Sequence, residues 1–306
     1  MKYQNKIIVN LNYIETDYAL QWAFAKDNAI DKIILSPRTT LSINEYEHDV
    51  INDLEQIIKL NNISFFYLPV LFSNFDYQKE ADFTKLNEHF RKISEIAKKL
   101  KIEYLLWELP VLNQNMLNLA PFIKILNQFI NTIQKNKIKL IFKRNKENSS
   151  SVVLNILMHL RNQNFNLFFE PIIPIALKES ISSSFQIFHK FINVVNITDY
   201  DKENQPTIIG DGLIRINEIS KKIMVNKNNC YILYDADLSN LISKINKHHE
   251  TNKNKIKKFF TKKNKKLQNE KIANVICLSQ SDVCHEKVLL KQLDIVNKII
   301  HKEHHV

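Results

Sequence analysis

Charged and amide side chains recur where short apolar runs of the sequence end. Glu108 and Glu170 follow two such runs, and Lys143 follows a third. Carboxylates can take a proton from carbon or oxygen, and an ammonium group can polarise a carbonyl or hold a phosphate. If the runs are neighbouring strands, their ends bring both kinds of group together. The candidate site residues chosen on this basis are Trp107, Glu108, Lys143, Arg144, Glu170, Asn196, Asp199 and Asp235.

Eight short apolar runs alternate with helical patterns within residues 1–245. Strands buried on both faces read as continuous apolar runs, and parallel strands need a helical crossover. The pattern therefore predicts an α/β domain of the (β/α)8 TIM-barrel class, whose functional residues gather at the C-terminal ends of the strands. A doubly wound open sheet is the main alternative. It is disfavoured because no Gly-x-Gly-x-x-Gly follows the first run.

Beyond the predicted barrel the chain changes character. Residues 246–271 have little apolar periodicity and read as a lysine-rich loop or linker, whereas 272–306 form a C-terminal extension with an amphipathic helix at 282–300. Eleven lysines and two glutamates between Lys244 and Lys271 supply most of the net charge of +11. This basic segment could track a phosphate backbone, so nucleic-acid binding is a further, weaker alternative. Heavy lysine use throughout the chain weakens it.

Composition gives expectations about the protein's environment. No run of 18 or more apolar residues occurs, and the N-terminus lacks a signal-peptide pattern. We therefore expect a cytoplasmic protein that does not associate with a membrane. Cys230, Cys277 and Cys284 are odd in number and lack Cys-x-x-Cys spacing. That favours reduced thiols over a disulfide framework or a zinc site.

Gly210 and Gly212 are the only glycines in the chain, and one residue separates them. Such spacing indicates backbone that no side chain would tolerate. The residues around this pair resemble the xylose isomerase-like barrels, which include sugar-phosphate isomerases and epimerases. In that family the seventh strand ends in His-x-x-Asp and a loop with Pro and Gly-Glu-Gly follows. The corresponding segments here are Asn196-Ile197-Thr198-Asp199, Pro206, Gly210-Asp211-Gly212 and, at strand six, Phe169-Glu170-Pro171.

The resemblance implies a divalent metal held at the strand ends by carboxylates and a histidine. At the corresponding positions this chain has Lys143 for a glutamate, Glu170 for an aspartate, Asn196 for the histidine, and Tyr234 or Asp235 for a second glutamate. An ammonium group beside two carboxylates makes a poor site for Mg²⁺ or Mn²⁺. The substitutions thus predict a degenerate metal site without a cofactor, while the resemblance alone implies Mn²⁺ or Mg²⁺.

The leading hypothesis is a sugar-phosphate isomerase- or epimerase-like protein acting on or binding a small sugar or sugar phosphate. Glu170 or Asp235 would act as the base, and Lys143 would either polarise the carbonyl or clamp a phosphate. The charge of Lys143 would also neutralise these two carboxylates. The alternative is a non-catalytic barrel that binds a ligand or partner, its mouth closed by ion pairs. A homo-oligomer remains open. The expected substrate-binding residues are Asn196, Asp199, Arg144, Trp107 and Glu108.

Overall fold

The computed structural model describes most of the barrel region and one helix near the C-terminus. The predicted helix at 43–60, Cys277 and all of the lysine-rich segment except residue 246 lie outside the described residues, so the predictions made for them stay predictions. The described residues are 7–14, 17–35, 65–67, 76–77, 79–112, 119–160, 165–214, 216–225, 230–244, 246 and 284–302.

Eight parallel strands form a closed barrel, which confirms the fold class predicted from the sequence. In spatial order the strands run β1-β10-β7-β6-β5-β4-β3-β2. The strands are β1 (Ile7–Asn10), β2 (Ile33–Leu35), β3 (Phe65–Tyr67), β4 (Tyr104–Glu108), β5 (Lys139–Lys143), β6 (Phe165–Phe169), β7 (Ile192–Asn196) and β10 (Tyr231–Tyr234). Two further strands, β8 (Asp199–Tyr200) and β9 (Pro206–Thr207), form a separate antiparallel pair.

Helices connect the barrel strands and bury an apolar side, as the alternating pattern requires. Phe90 of one helix stacks on Phe129 of the next, with ring centroids 3.9 Å apart. The described helices are α1 (Tyr18–Asp27), α2 (Glu80–Lys99), α3 (Ala120–Asn136), α4 (Ser150–Leu160), α5 (Ile172–Ala176), α6 (Ile181–Phe188), α7 (Ile216–Val225) and α8 (His285–Lys302).

The apolar spacing of the sequence predicts a single helix at 175–190, and this prediction is wrong because two short helices occupy that region. Helix α5 ends at Ala176, and Lys178 takes a left-handed conformation with φ of 58°. The side chain of Ser180 then accepts a hydrogen bond from the backbone N–H of Ser183 and caps α6. The left-handed residue redirects the chain, so the helical periodicity cannot continue through it.

Alternation along the strands sorts their side chains into an interior and an exterior set. Leu106, Ile141 and Phe168 belong to one buried cluster that gathers residues from every barrel strand. Near the N-terminal ends of the strands, Phe65 stacks on Tyr104 with centroids 4.5 Å apart. This cluster fills the barrel interior, so a ligand can enter only beyond it, at the ends of the strands.

The chain divides into two compact units: Met1–Asn196 with Asn226–Leu233, and Ile197–Val225 with Tyr234–Val306. The first contains the barrel. The second contains the β8–β9 pair, α7 and α8. Within this unit the side-chain oxygen of Gln292 on α8 accepts a hydrogen bond from the backbone N–H of Ile209 at 3.0 Å. The last helix therefore fixes part of the loop that carries the two glycines.

Two further expectations concern the chain's environment. Among the described helices, none combines the length and apolar character needed to cross a bilayer. Cys230 is buried and Cys284 is exposed, and both are free thiols. The cytoplasmic location and the domain boundaries at 245 and 271 stay predictions.

Candidate functional site

Three charged side chains meet on the inner side of the barrel wall because of strand alternation. Leu106, Ile141 and Phe168 face the interior. Glu108, Lys143 and Glu170 each come two residues after one of these, so their side chains face the same side of the sheet. Glu108 and Lys143 end β4 and β5, and Glu170 directly follows β6. Glu108 and Lys143 are direct partners in the β4–β5 register.

The ammonium group of Lys143 lies between the two carboxylates. Its Nζ is 3.7 Å from Oε2 of Glu108 and 3.6 Å from Oε1 of Glu170. The Lys143 side chain is 23% exposed, Glu108 44% and Glu170 8%. Water screens the pair with Glu108 more strongly, so Glu170 is the stronger electrostatic partner. The sequence paired Lys143 with Glu170 and Asp235; the ion pairs of Lys143 in the structure are with Glu170 and Glu108.

An aromatic ring and an amide extend this polar group within the first unit. Nζ of Lys143 lies 5.8 Å from the ring centroid of Tyr67, within the range of a cation–π contact. Asn196 ends β7 with the same inward parity as Val194, and it is 1% exposed. Both positions belong to the inner wall of the barrel. They add a ring face and an amide to the charges at the strand ends.

Arg144 has a structural position that argues against the substrate contact expected from the sequence. It is buried and alternates with Lys143, so it faces away from the barrel interior. Its Nε donates to the carbonyl oxygen of Asn148 at 2.8 Å, and its Nη2 lies 3.2 Å from Oε2 of Glu179. Its guanidinium also covers the ring of Phe188. Arg144 therefore ties the loop after β5 to the segment after α5.

Glu179, which sequence reasoning missed, is the counter-charge of Arg144. It also accepts hydrogen bonds from the backbone N–H and the hydroxyl of Ser150 at the start of α4. Burial alone would raise the pKa of Glu179, but the Ser150 hydrogen bonds and the Arg144 charge outweigh it, so the pKa is lowered. Burial lowers the pKa of Arg144 despite its pairing with Glu179. No local sequence pattern indicates a partner 35 positions away.

Trp107 also lies away from the barrel interior. It is fully buried, and its ring packs against Phe122 and Phe129 of α3 at centroid distances of 5.8 and 5.3 Å. A ring enclosed between strand and helix offers no surface to a ligand. Its position argues against the predicted substrate contact and makes Trp107 part of the packing between β4 and α3.

Asp199 organises the glycine-containing loop of the second unit. It is 0% exposed and accepts hydrogen bonds at 2.9–3.0 Å from the backbone N–H groups of Tyr200, Gly210, Gly212 and Ile214. Burial raises the pKa of Asp199, and the four N–H donors oppose that rise. Because both oxygens are occupied by backbone donors, this geometry does not support the predicted contact with sugar hydroxyls.

Asp235 belongs to the second unit as well and is half-buried. Its carbonyl oxygen accepts a hydrogen bond from the hydroxyl of Thr198 at 3.0 Å. The catalytic role expected for its carboxylate stays a prediction.

The described residues do not fit the divalent metal that the resemblance implies. Nowhere in the described ranges do three or more His, Cys, Asp or Glu side chains form a group able to hold a metal ion. Glu108 and Glu170 are engaged by the same ammonium group. A hard cation needs several oxygen ligands at about 2.0–2.6 Å, and the charge of Lys143 opposes its approach.

Solved structures with the same architecture cover nearly the whole chain. A crystal structure of IolI protein with a bound zinc atom has a TM-score of 0.68 and 14% identity, covering 97% of this chain and 98% of that one. L-ribulose 3-epimerase has a TM-score of 0.67 and 11% identity, covering 100% and 96% respectively. The chain shares the (β/α)8 barrel fold of these proteins.

Other matches agree with this fold. D-psicose 3-epimerase with D-tagatose from Clostridium cellulolyticum H10 has a TM-score of 0.65 and 9% identity, covering 96% of this chain and 99% of that one. No protein-family model and no curated protein matches the sequence. The resemblance drawn from the sequence is thus confirmed for the fold. At such identities the barrel architecture is shared, and roles of individual residues do not follow from it.

Proposed function

We propose that this barrel binds a small polyhydroxy or phosphorylated carbonyl compound at Lys143 and catalyses proton transfer next to the carbonyl. The observation that carries the proposal is the position of the Lys143 ammonium between Glu108 and Glu170 at the ends of three adjacent strands. An electrophile flanked by two bases is what isomerisation or epimerisation through an enediol requires.

The proposed reaction assigns one role to each of the three groups. Glu170 removes a proton from the carbon next to the carbonyl, and the electron pair moves to the carbonyl oxygen. The Lys143 ammonium stabilises the negative charge that develops on that oxygen. In an isomerisation, Glu170 gives the proton to the neighbouring carbon while a hydroxyl proton moves to the carbonyl oxygen. In an epimerisation, Glu170 keeps the proton, and Glu108, on the other side of Lys143, acts as the acid that delivers its own proton to the opposite face of the same carbon.

The ligand class is argued from chemistry and from the architecture together. An ammonium donates up to three hydrogen bonds, and the Asn196 amide can bind hydroxyl groups. L-ribulose 3-epimerase and D-psicose 3-epimerase share the fold, and their names give ketose sugars as the substrates of those proteins. We therefore place ketoses and their phosphates first among the compounds to test. Phosphate can bind the same ammonium, so the panel must include both forms.

Deuterium exchange tests the proposal. Each sugar is incubated with the protein in D₂O, and ¹H NMR follows loss of the proton next to the carbonyl. We expect exchange with at least one ketose or ketose phosphate and none with Lys143→Met. Lys139→Met is the matched control, because Lys139 is exposed at the opposite end of the same strand. No exchange across the panel, or equal exchange in both variants, would refute the catalytic proposal.

A non-catalytic barrel is the second candidate, and the ion pairs at Lys143 favour it. The same three side chains that could do chemistry also form ion pairs with one another. In that case the sugar panel would raise the thermal stability of the protein in a Lys143-dependent way, without deuterium exchange. Binding and exchange measured on the same samples separate the two functions.

A further inference from the structure

We infer that the Lys143 ammonium, held between Glu108 and Glu170, is the resident cation of the barrel's polar end. The inference rests on the site used in the proposed function, but it concerns the cation and does not require turnover. It makes the site independent of divalent metals. It also predicts that removing the ammonium charge raises the affinity of the same two carboxylates for a divalent cation.

The strand order fixes the cation between the carboxylates. Strand β5, which carries Lys143, lies between β4 and β6. Strand β4 carries Glu108, and Glu170 directly follows β6. The distances from Nζ to the two carboxylates differ by only 0.1 Å. Both separations are within 4 Å, so the ammonium is in ion-pair range of both carboxylates.

Charge and ring chemistry favour an ammonium over a metal at this position. Lys143 lowers the net charge of the three side chains from two negative to one negative, which weakens attraction for a divalent ion. The ring face of Tyr67 lies on the ammonium at 5.8 Å. Ring faces attract ammonium groups but supply no oxygen ligand to Mg²⁺ or Mn²⁺. The surroundings of Nζ are thus matched to the cation that the chain itself provides.

Manganese binding to the full-length protein tests the inference. We would titrate Mn²⁺ into wild type, Lys143→Gln and the exposed control Lys139→Gln, and measure water proton relaxation and heat of binding. We expect Lys143→Gln to bind Mn²⁺ about tenfold or more tightly than wild type, and Lys139→Gln to bind it as wild type does. The double variant Lys143→Gln/Glu170→Gln should lose this gain. Circular dichroism establishes that each variant is folded.

The outcomes separate this inference from the proposed function. A specific Mn²⁺ site in wild type that Glu170→Gln abolishes would overturn the inference, even if Lys143→Gln failed to fold. A folded Lys143→Gln variant with no gain in Mn²⁺ affinity would overturn it too. If wild type exchanges deuterium only when Mn²⁺ is added, the inference fails while the proposed function stands. If no sugar is turned over but Lys143→Gln gains Mn²⁺ affinity, the proposed function fails while the inference stands.

Discussion

The two glycines of the loop after β7 should differ sharply in their tolerance of a side chain. A Cβ placed on Gly212 would lie 2.6 Å from the carbonyl oxygen of Tyr200 and closer still to the carboxylate of Asp199. A Cβ on Gly210 would have nothing within 4 Å, and its only cost is the backbone conformation at φ of 98°. Gly212→Ala and Gly210→Ala therefore form a matched pair within one loop.

The cost of Gly212→Ala follows from the hydrogen bonds that the methyl group displaces. Overpacking a buried contact costs about 1–3 kcal/mol. A hydrogen bond to a charged group contributes about 1.5–3 kcal/mol, and moving Asp199 breaks at least the one from the Gly212 N–H. We expect Gly212→Ala to lower the free energy of unfolding by about 3–5 kcal/mol. Gly210→Ala should cost about 1–2 kcal/mol, the strain of an L-residue at positive φ.

Urea denaturation of wild type and the two variants, followed by circular dichroism, measures both costs. Amide hydrogen exchange adds local resolution, since Tyr200, Gly210 and Ile214 donate to the same carboxylate. Their exchange should accelerate much more in Gly212→Ala than in Gly210→Ala. The reasoning is refuted if Gly212→Ala stays within about 1 kcal/mol of wild type, or if Gly210→Ala is the costlier change.

Two further predictions concern the first unit. Glu179→Gln should lower stability at pH 7 by about 1–3 kcal/mol, because Arg144 loses its counter-charge. Folding lowers the pKa of Glu179, so the stability difference between wild type and Glu179→Gln should be fully present above the unfolded pKa of about 4.3. It should shrink as the pH falls through the lower folded pKa. A difference that does not change with pH would contradict this reasoning. Lys137→Gly should raise the free energy of unfolding by about 0.5–1 kcal/mol, because Lys137 ends α3 in a strained left-handed conformation with φ of 58°. Thermal unfolding measures this gain. Lys135→Gly is the control, since Lys135 lies within the helix and its replacement by glycine should lower stability.

The barrel could be predicted because its strands are buried on both faces. A run such as Tyr104–Glu108 has no room for polar residues until the strand leaves the core, so its end is visible in the sequence. The break between α5 and α6 was harder to foresee. Lys178 adopts a left-handed conformation that glycine usually provides, and a chain with two glycines gives no such signal.

The site was only partly predictable, for reasons of parity and distance. Adjacent strand residues face opposite ways, so Glu108 and Trp107 could not both face the barrel interior, and the same holds for Lys143 and Arg144. That rule was available from the sequence and would have separated these pairs. The pairing of Arg144 with Glu179 was not available, because it depends on where two loops meet in the folded chain.

The hydrogen bond from the Ile209 N–H to Gln292 spans 83 positions of the chain. A ribosome adding about 5–20 residues per second makes Ile209 roughly 4–17 s before its acceptor exists. During that interval the barrel strands up to β7 have already been synthesised, while the Ile209 N–H must donate its hydrogen bond to water. The nascent chain can thus form most of its β-sheet before it can close the loop that its two glycines shape.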